Sequence, residues 1–222
     1  MKVMLSLATS AQQETEAFKR WFGKSKVVDK DGKALRVFHG TKGDFKEFDP
    51  KLIGNGNNEN GVGFYFTTNT AWTGLYSGGE GGNTIPVYLK IQKPIYYNRQ
   101  PKATANMVAK LTFGAGVKIL NTYLRDNYDV ERTGIDAAKR EYRETYIDMD
   151  LVEASFSIYA ELYEGNPKQH VFAEIFKDAT GYDGIIIPRG PDTNYVVFTP
   201  TQIKSAVGNA GTFKPRTADI SK

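Results

Sequence analysis

Three short strand-like segments, far apart along the chain, constrain the fold more than any other feature of this sequence. They are 38–41, 61–67 and 194–198, and each combines apolar or aromatic residues with Gly, Thr or Asn. Aromatic and β-branched residues favour strands. The stretch between the second and third segments has mainly helical periodicity, so a sheet has to join strands from both ends of the chain. The sequence therefore predicts an α+β protein.

Periodicity also places the individual elements. Strands are predicted at 35–39, 64–68, 85–91, 184–187 and 195–198. Phe18, Trp21 and Phe22 lie on one face of a predicted N-terminal helix. Gly23 follows at a position that favours the end of that helix.

The middle of the chain is predicted to be a helical insertion. Apolar residues recur there at helical spacing, which gives an insertion over about residues 101–179, with Gly181 as its end. No segment has the composition of a linker. We therefore expect residues 1–222 to form a single domain that contains this insertion.

Composition excludes several kinds of site. The chain has no Cys and two His, so thiolate chemistry and Cys-ligated zinc are excluded and a His-rich metal site is not expected. The net charge is +4, and the Lys and Arg residues are scattered among Asp and Glu residues. They form no basic block of the kind typical of nucleic-acid binding. The N-terminal apolar run is short for a signal peptide, and no run approaches the roughly 18 apolar residues of a membrane span. We expect a cytoplasmic protein.

A set of short motifs gives the chain a resemblance to a known family. They are Trp21–Asp29, His39–Thr41, Gly61–Thr67, Gly181–Ile185, Tyr195–Phe198 and Gln202–Ser205. In this order they resemble the ADP-ribosyltransferase fold on its diphtheria-toxin and poly(ADP-ribose) polymerase side, closest to the phage and mobile-element domains of polyvalent proteins. The resemblance implies a split β-sheet core and NAD as the substrate, without a metal. The helical middle matches nothing in that family.

The resemblance implies roles for the first motif. Gly40 would bind the nicotinamide carboxamide through its main-chain N–H and C=O, because a glycine lets a ligand approach the backbone closely. His39 would hydrogen-bond a hydroxyl of the adenosine-side ribose, and Thr41 would orient a ribose. The alternatives are a turn glycine at the strand end, a core histidine with satisfied hydrogen bonds, and a threonine that caps the following turn.

The second motif would hold the nicotinamide ring. Tyr65 and Tyr76 would stack on its two sides, since a cationic ring favours aromatic faces. Thr73 matches the position of a hydroxyl that binds the carboxamide oxygen; a threonine on the helix surface is the alternative. Gly63 is a candidate cofactor-binding residue, although Gly61-Val62-Gly63 alone is a weak phosphate-loop signal because no Lys-Ser or Lys-Thr follows it.

The chain departs from the polymerase pattern at one position. That pattern has a Glu immediately before the Tyr-Val-Val-Phe strand, and Asn194 stands there instead. Asn keeps a hydrogen-bond acceptor but lacks the negative charge. Three interpretations stay open: Asn194 orients the ribose of a mono-transferase, Asp192 supplies the carboxylate from the preceding loop, or the chain binds NAD without turnover.

The resemblance implies a mono-ADP-ribosyltransferase that transfers ADP-ribose from NAD to a macromolecular acceptor, which is a protein side chain or a nucleic acid. Chain elongation is not expected without the Glu. The alternatives are a non-catalytic NAD-binding pseudoenzyme and an NAD glycohydrolase. The implied setting is a phage or bacterial conflict toxin that acts in the host cytoplasm, with an antitoxin or inhibitor protein as a further partner and no membrane.

Overall fold

A seven-stranded sheet and eight helices make up the described part of the chain. The computed structural model describes residues 12–53, 60–76 and 82–222, without the side chains of Leu75 and Tyr76. The strands are β1 (Val37–Thr41), β2 (Phe64–Thr67), β3 (Asn83–Leu89), β4 (Pro94–Tyr96), β5 (Gly184–Arg189), β6 (Asp192–Val197) and β7 (Ile203–Ser205). The helices are α1 (Glu16–Phe22), α2 (Thr70–Tyr76), α3 (Ala105–Ala115), α4 (Val117–Asn127), α5 (Val130–Thr133), α6 (Ile135–Glu144), α7 (Leu151–Leu162) and α8 (Phe172–Thr180). The predicted α+β class is confirmed.

The strand order is β4-β5-β6-β2-β1-β3-β7, so segments from both ends of the chain alternate in one sheet. All five predicted strands are present, with their ends shifted by up to three residues. β6 begins earlier than predicted, which places both Asp192 and Asn194 within the strand; Asp192 was expected in a loop. The short strands β4 and β7 were not predicted, because three residues are too few for a recognisable alternation.

The chain forms two compact units. The first consists of Met1–Asp49, Phe64–Pro94 and Asp183–Lys222, and the second of Pro50–Gly63 and Ile95–Tyr182. The predicted insertion at 101–179 falls within the second unit, which holds helices α3 to α8. The single domain over 1–222 stays a prediction.

Helix α1 packs through aromatic side chains in the first unit. The helix begins after Thr15, whose hydroxyl accepts the Phe18 N–H at 3.2 Å, and it ends at Gly23, as predicted. Its buried face contributes to an aromatic cluster with residues of β3 and the C-terminal segment: Phe18, Trp21, Phe22, Tyr88 and Phe213. Burial of these rings is the main stabilising term that holds α1 on the sheet.

Strand register divides the residues of the first unit between two faces of the sheet. Phe38 pairs with Thr67, and Thr67 pairs with Asn194. Because side chains alternate along a strand, Gly40 and Tyr65 lie on the same face as these three residues. We call this face the helical face, because α1 contacts it at Tyr88 and α2 contacts it at Thr84. His39 lies on the opposite face.

Helix α2 lies directly against the main chain at Gly40. A Cβ atom at Gly40 would be 2.3 Å from the Thr73 carbonyl oxygen and 2.9 Å from the Thr73 Cα. Main-chain atoms cannot move aside as a flexible side chain can, so the contact requires glycine. Gly40 is the fourth of five residues in β1, which excludes the alternative of a strand-end turn.

We predict that Gly40→Ala lowers the free energy of unfolding by about 1–3 kcal/mol, because α2 must shift to admit the methyl group. Gly74→Ala, in α2 itself, is the matched control: its Cβ would meet nothing within 4 Å. Replacing a helical glycine by alanine should stabilise by roughly 0.5–1 kcal/mol. Urea unfolding of the two variants measures the difference, and equal midpoints would contradict the close contact.

Candidate active site

The pairing of β1 with β2 ends early. β1 keeps five registered pairs with β3 and β2 keeps four with β6, but among the described residues Phe38 and Thr67 are the one registered pair between β1 and β2. Beyond this pair the two strands no longer follow the ladder. We call this place the β1–β2 opening; Gly40 and Tyr65 lie two positions beyond the last pair, where they would pair if the register continued.

The main chain of Gly40 is turned toward the opening. The Pro86 carbonyl accepts the Ala206 N–H at 2.9 Å, so the main-chain groups of Pro86 point away from β1. In an antiparallel ladder these directions alternate, and Pro86 pairs with Phe38 while Thr84 pairs with Gly40. The N–H and C=O of Gly40 therefore point away from β3 and toward β2, where the ladder has ended.

His39 spans the opening from the other face. Its Nδ1 is 2.8 Å from the Tyr65 carbonyl oxygen. A carbonyl only accepts, so Nδ1 carries the proton and the neutral ring keeps an acceptor lone pair at Nε2. Among the described residues none hydrogen-bonds Nε2.

The surroundings of His39 favour its neutral form. Its ring centroid lies 4.9 Å from that of Phe48 and 5.4 Å from that of Phe66. Burial lowers the pKa of His39 from its ordinary value of 6.5, and the hydrogen bond to the Tyr65 carbonyl offsets only part of this effect. His39 is therefore an uncharged acceptor at neutral pH, which suits both a core histidine and a ligand of a ribose hydroxyl.

The two threonines of the predicted site have protein partners. The Thr41 hydroxyl accepts the Gly43 N–H at 3.2 Å, so it caps the following turn, and its own proton can still be donated. The Thr73 hydroxyl is 2.6 Å from the Thr70 carbonyl and 2.7 Å from the Thr84 hydroxyl. Thr73 is 2% exposed, which excludes the helix-surface alternative. A carboxamide contact would have to replace one of these bonds.

Asp192 is linked to the start of α2. Its carboxylate accepts a hydrogen bond from the Asn69 Nδ2 at 2.8 Å, and the Asn69 Oδ1 accepts the Ala71 N–H at 2.9 Å. Asn69 thus connects β6 to the first turn of α2. Asn194 lies two residues further along β6, on the helical face, with no hydrogen bond to its side chain from the described residues.

The structure brings His39, Gly40, Tyr65, Thr73 and Asn194 together in the first unit. Two predicted residues are not part of this arrangement. Gly63 precedes β2 and belongs to the second unit. Tyr76 ends α2, but its side chain lies outside the described residues, so the stacking of Tyr65 and Tyr76 on one ring stays a prediction.

Sequence reasoning missed two residues that support the site. Asn69 stands between a strand and a helix, where Asn is typical of a helix N-terminus, so its cap was recognisable from the sequence. No signal marked Thr84, because the contact of its hydroxyl with Thr73 depends on the packing of α2 on β3.

The described residues contain neither a metal-binding cluster nor a membrane-spanning helix. No cluster of three His, Asp or Glu able to hold a metal ion occurs among residues 12–53, 60–76 and 82–222. Within the same ranges, no helix has the length and apolar character needed to cross a membrane.

Comparison with known proteins gave one solved structure and no curated sequence. The structure is described as the crystal structure of an anti-CRISPR protein, with 10% sequence identity and a TM-score of 0.29. The match covers 77% of this chain and 92% of the other. A TM-score this low supports no inference about the fold or the function of this chain. No curated protein matches the chain significantly.

A family comparison is decisive. The sequence model described as "ADP-Ribosyltransferase in polyvalent proteins" matches residues 29–213, which is most of the chain. Family membership suggests ADP-ribosyltransferase activity, and such enzymes typically use NAD as a substrate. The match confirms the resemblance drawn from the motifs: the chain belongs to the family of ADP-ribosyltransferases in polyvalent proteins.

Proposed function

We propose that this protein is a mono-ADP-ribosyltransferase that transfers ADP-ribose from NAD to a macromolecular acceptor. The observation that carries the proposal is the β1–β2 opening. There the main chain of Gly40 faces a gap in the ladder. Beside this gap, His39 Nδ1 lies 2.8 Å from the Tyr65 carbonyl oxygen. Unpaired main-chain groups seek hydrogen-bond partners, so the opening suits a small planar amide.

The nicotinamide carboxamide complements the Gly40 main chain. Its NH₂ group donates and its C=O accepts, which matches the C=O and N–H of one residue in an extended strand. Tyr65 lies on the helical face at the same level as Gly40, where its ring can contact the nicotinamide. Tyr76 would contact the opposite side of the ring, and the buried Thr73 fixes the distance between α2 and β1.

His39 and Thr41 would bind the ribose part of NAD. The neutral His39 offers Nε2 as an acceptor for a ribose hydroxyl, and its Nδ1 bond to the Tyr65 carbonyl fixes the ring orientation. Thr41 retains a donor. Gly63 stays a candidate cofactor-binding residue on the family resemblance alone.

In the reaction the bond between the ribose C1′ and the nicotinamide nitrogen breaks, and nicotinamide leaves with the electron pair. An acceptor oxygen or nitrogen forms the new bond to C1′ and releases its proton to solvent. Positive charge develops on the ribose in the transition state, so orientation and local polarity determine the rate. Asn194 would hold a hydroxyl of this ribose through its amide oxygen without adding negative charge.

Asp192 would act as a positioning residue. Its carboxylate is bound to Asn69, which caps α2, the helix that packs on Gly40. A carboxylate in this position stabilises the location of α2 and needs no contact with NAD. Asn194 then remains the residue of β6 proposed to contact the ribose.

A non-catalytic NAD-binding protein is the second candidate. The observation that favours it is Asn194 in place of the Glu, since an uncharged amide stabilises positive charge less than a carboxylate does. Binding of NAD without release of nicotinamide would identify this case. Free ADP-ribose as the sole product would identify an NAD glycohydrolase.

The proposal predicts NAD turnover that depends on His39 and Tyr65. The purified protein with NAD and a cell extract should release nicotinamide and label a macromolecule. His39→Ala and Tyr65→Ala should each lower kcat/KM for NAD by about ten-fold, since one hydrogen bond or ring contact contributes about 1.4 kcal/mol. His170→Ala is the matched control, as His170 lies in the second unit. Absence of both products from folded wild-type protein would overturn the proposal.

The lowered pKa of His39 predicts a pH dependence. Protonation of Nε2 removes the acceptor, so wild-type kcat/KM should stay constant down to about pH 6.5 and fall below it, through the lowered pKa. His39→Gln keeps an acceptor but does not titrate, so its profile should lack this fall. The profile of kcat/KM from about pH 5 to 8 measures the difference. Parallel profiles of the two proteins would contradict the role of His39.

Acidification should also destabilise the fold through His39. The folded-state pKa is below the unfolded value, so the unfolded chain binds the proton more readily. The free energy of unfolding should therefore fall as the pH drops through 6.5 to the lowered pKa. Urea unfolding should show this slope in the wild type, with a smaller slope in His39→Gln.

Asp192 variants separate a positioning role from a catalytic one. Asp192→Asn keeps an oxygen that accepts the Asn69 N–H, so kcat should stay within about three-fold of the wild type. Asp192→Ala removes the acceptor and should mainly raise KM for NAD, because α2 is less well held. A collapse of kcat in Asp192→Asn with an unchanged KM would show instead that the charge itself acts in catalysis.

A further inference from the structure

We propose that an exposed basic surface on the first unit binds nucleic acid and presents it as the acceptor of ADP-ribose. The basic surface consists of Lys19, Arg20, Lys24, Lys26, Lys30, Lys33 and Lys93. The acceptor part of this inference rests on the proposed function, whereas the binding part does not. All seven side chains belong to exposed residues.

Residues 19–36 carry a local excess of positive charge, although their cations do not form a continuous basic block. Residues 19–36 contain seven of the 29 Lys and Arg residues, and Asp29 and Asp31 are their only acidic residues. The net charge of this stretch is +5, from seven positive and two negative side chains, whereas the whole chain carries +4. The Asp29 carboxylate is occupied by the N–H groups of Asp31 and Lys33, both at 2.9 Å.

Tertiary contacts bring Lys93, in the segment after β3, to this surface. The Lys26 N–H donates to the Ile91 carbonyl, and the Ser25 hydroxyl donates to the Leu89 carbonyl at 2.8 Å. A Cβ at Gly23 would lie 2.8 Å from the Gln92 amide nitrogen. The segment 23–26 therefore runs beside 89–92, which brings the lysines at 24 and 26 close to Lys93.

Most cations of the basic surface are not held in ion pairs with described residues. Among the residues that the structure describes, Lys19 is its only member in an ion pair, with Glu14 at 3.6 Å and Glu16 at 3.5 Å. The other cations face solvent. Such a set of exposed cations attracts a polyanion, whose phosphates release their counterions when Lys and Arg replace them.

Arg36 and the packing of α1 and α2 on β3 relate the basic surface to the candidate active site. Arg36 lies over the Phe38 ring, with its guanidinium carbon 5.7 Å from the ring centroid, and Phe38 is two residues from Gly40. On β3, α1 contacts Tyr88 and α2 contacts Thr84. Four residues along a strand span about 13 Å, so a nucleic acid bound beside α1 needs to extend by about this length to reach the part of the sheet beside Gly40.

The composition of the surface favours nucleic acid over an acidic protein. Protein interfaces have an apolar or aromatic centre with charged residues at the rim. The large apolar side chains of α1 are buried against the sheet, and within 19–36 the described residues include no exposed large hydrophobic side chain. A surface of lysines without an apolar centre matches a phosphate backbone.

The binding part is tested without NAD. The triple variant Lys24→Gln, Lys26→Gln, Lys93→Gln is compared with Lys110→Gln, Lys118→Gln, Lys214→Gln, which removes the same charge from other exposed positions. The probes are a fluorescein-labelled 30-base-pair DNA duplex and a 30-nucleotide RNA, measured by fluorescence anisotropy. The first triple should weaken binding at least ten-fold and make the salt slope less steep by about 3. No binding by the wild type, or equal losses in both triples, would overturn the binding site.

The acceptor part is tested with labelled NAD and the same probes. The wild type should transfer label to a probe in a nuclease-sensitive form, and the first triple should lose this transfer while its nicotinamide release without probe stays unchanged. Label on protein alone would overturn nucleic acid as the acceptor. If no nicotinamide is released, the proposed function fails and the acceptor part fails with it, and the anisotropy measurements still decide the binding site.

Discussion

The early end of the ladder between β1 and β2 is the constraint on which the candidate site depends. Inside a sheet, the N–H and C=O groups of each residue form hydrogen bonds with a neighbouring strand. Among the described residues Gly40 has no registered partner in β2, because the register of β1 and β2 stops at Phe38 and Thr67. The His39 side chain donates a hydrogen bond to the Tyr65 carbonyl and so stabilises the opening from one face. The sheet therefore presents a strand edge in its interior, where a planar ligand can be bound from the main chain.

Helix α2 packs directly against β1 at this opening. It can approach β1 only because Gly40 has no Cβ, and the Thr73 carbonyl occupies the place that a side chain would take. The Thr73 and Thr84 hydroxyls join α2 to β3 at 2.7 Å, and the Asn69 amide joins it to Asp192 at 2.8 Å. These two polar contacts hold the helix that ends at Tyr76. The glycine of the motif thus has a packing role that is independent of any ligand, and its main chain remains available to one.

Other motif residues have structural roles that are fully accounted for by the fold. Gln202 is 6% exposed and donates to the carbonyls of Lys90 and Asp183 at 2.8 and 2.6 Å. The Asp183 carboxylate in turn accepts main-chain N–H groups of Gln92 and Lys93. Lys204 is fully buried and donates to two carbonyls of the C-terminal segment, and burial lowers its pKa to about 8. A family motif therefore includes residues that hold the sheet together as well as residues that face the opening.

The amino-acid sequence by itself determined the α+β class, the five longer strands, the glycine ends of α1 and α8, and the family. These follow from local periodicity, turn chemistry and motif order, which need no knowledge of distant contacts. Tertiary structure alone decided that β1 and β2 separate after one pair, that Asp192 binds Asn69, and that Lys24 and Lys26 come close to Lys93. Each of these depends on which segments lie side by side, and hydrogen-bond direction and charge density are properties of that arrangement rather than of residue order.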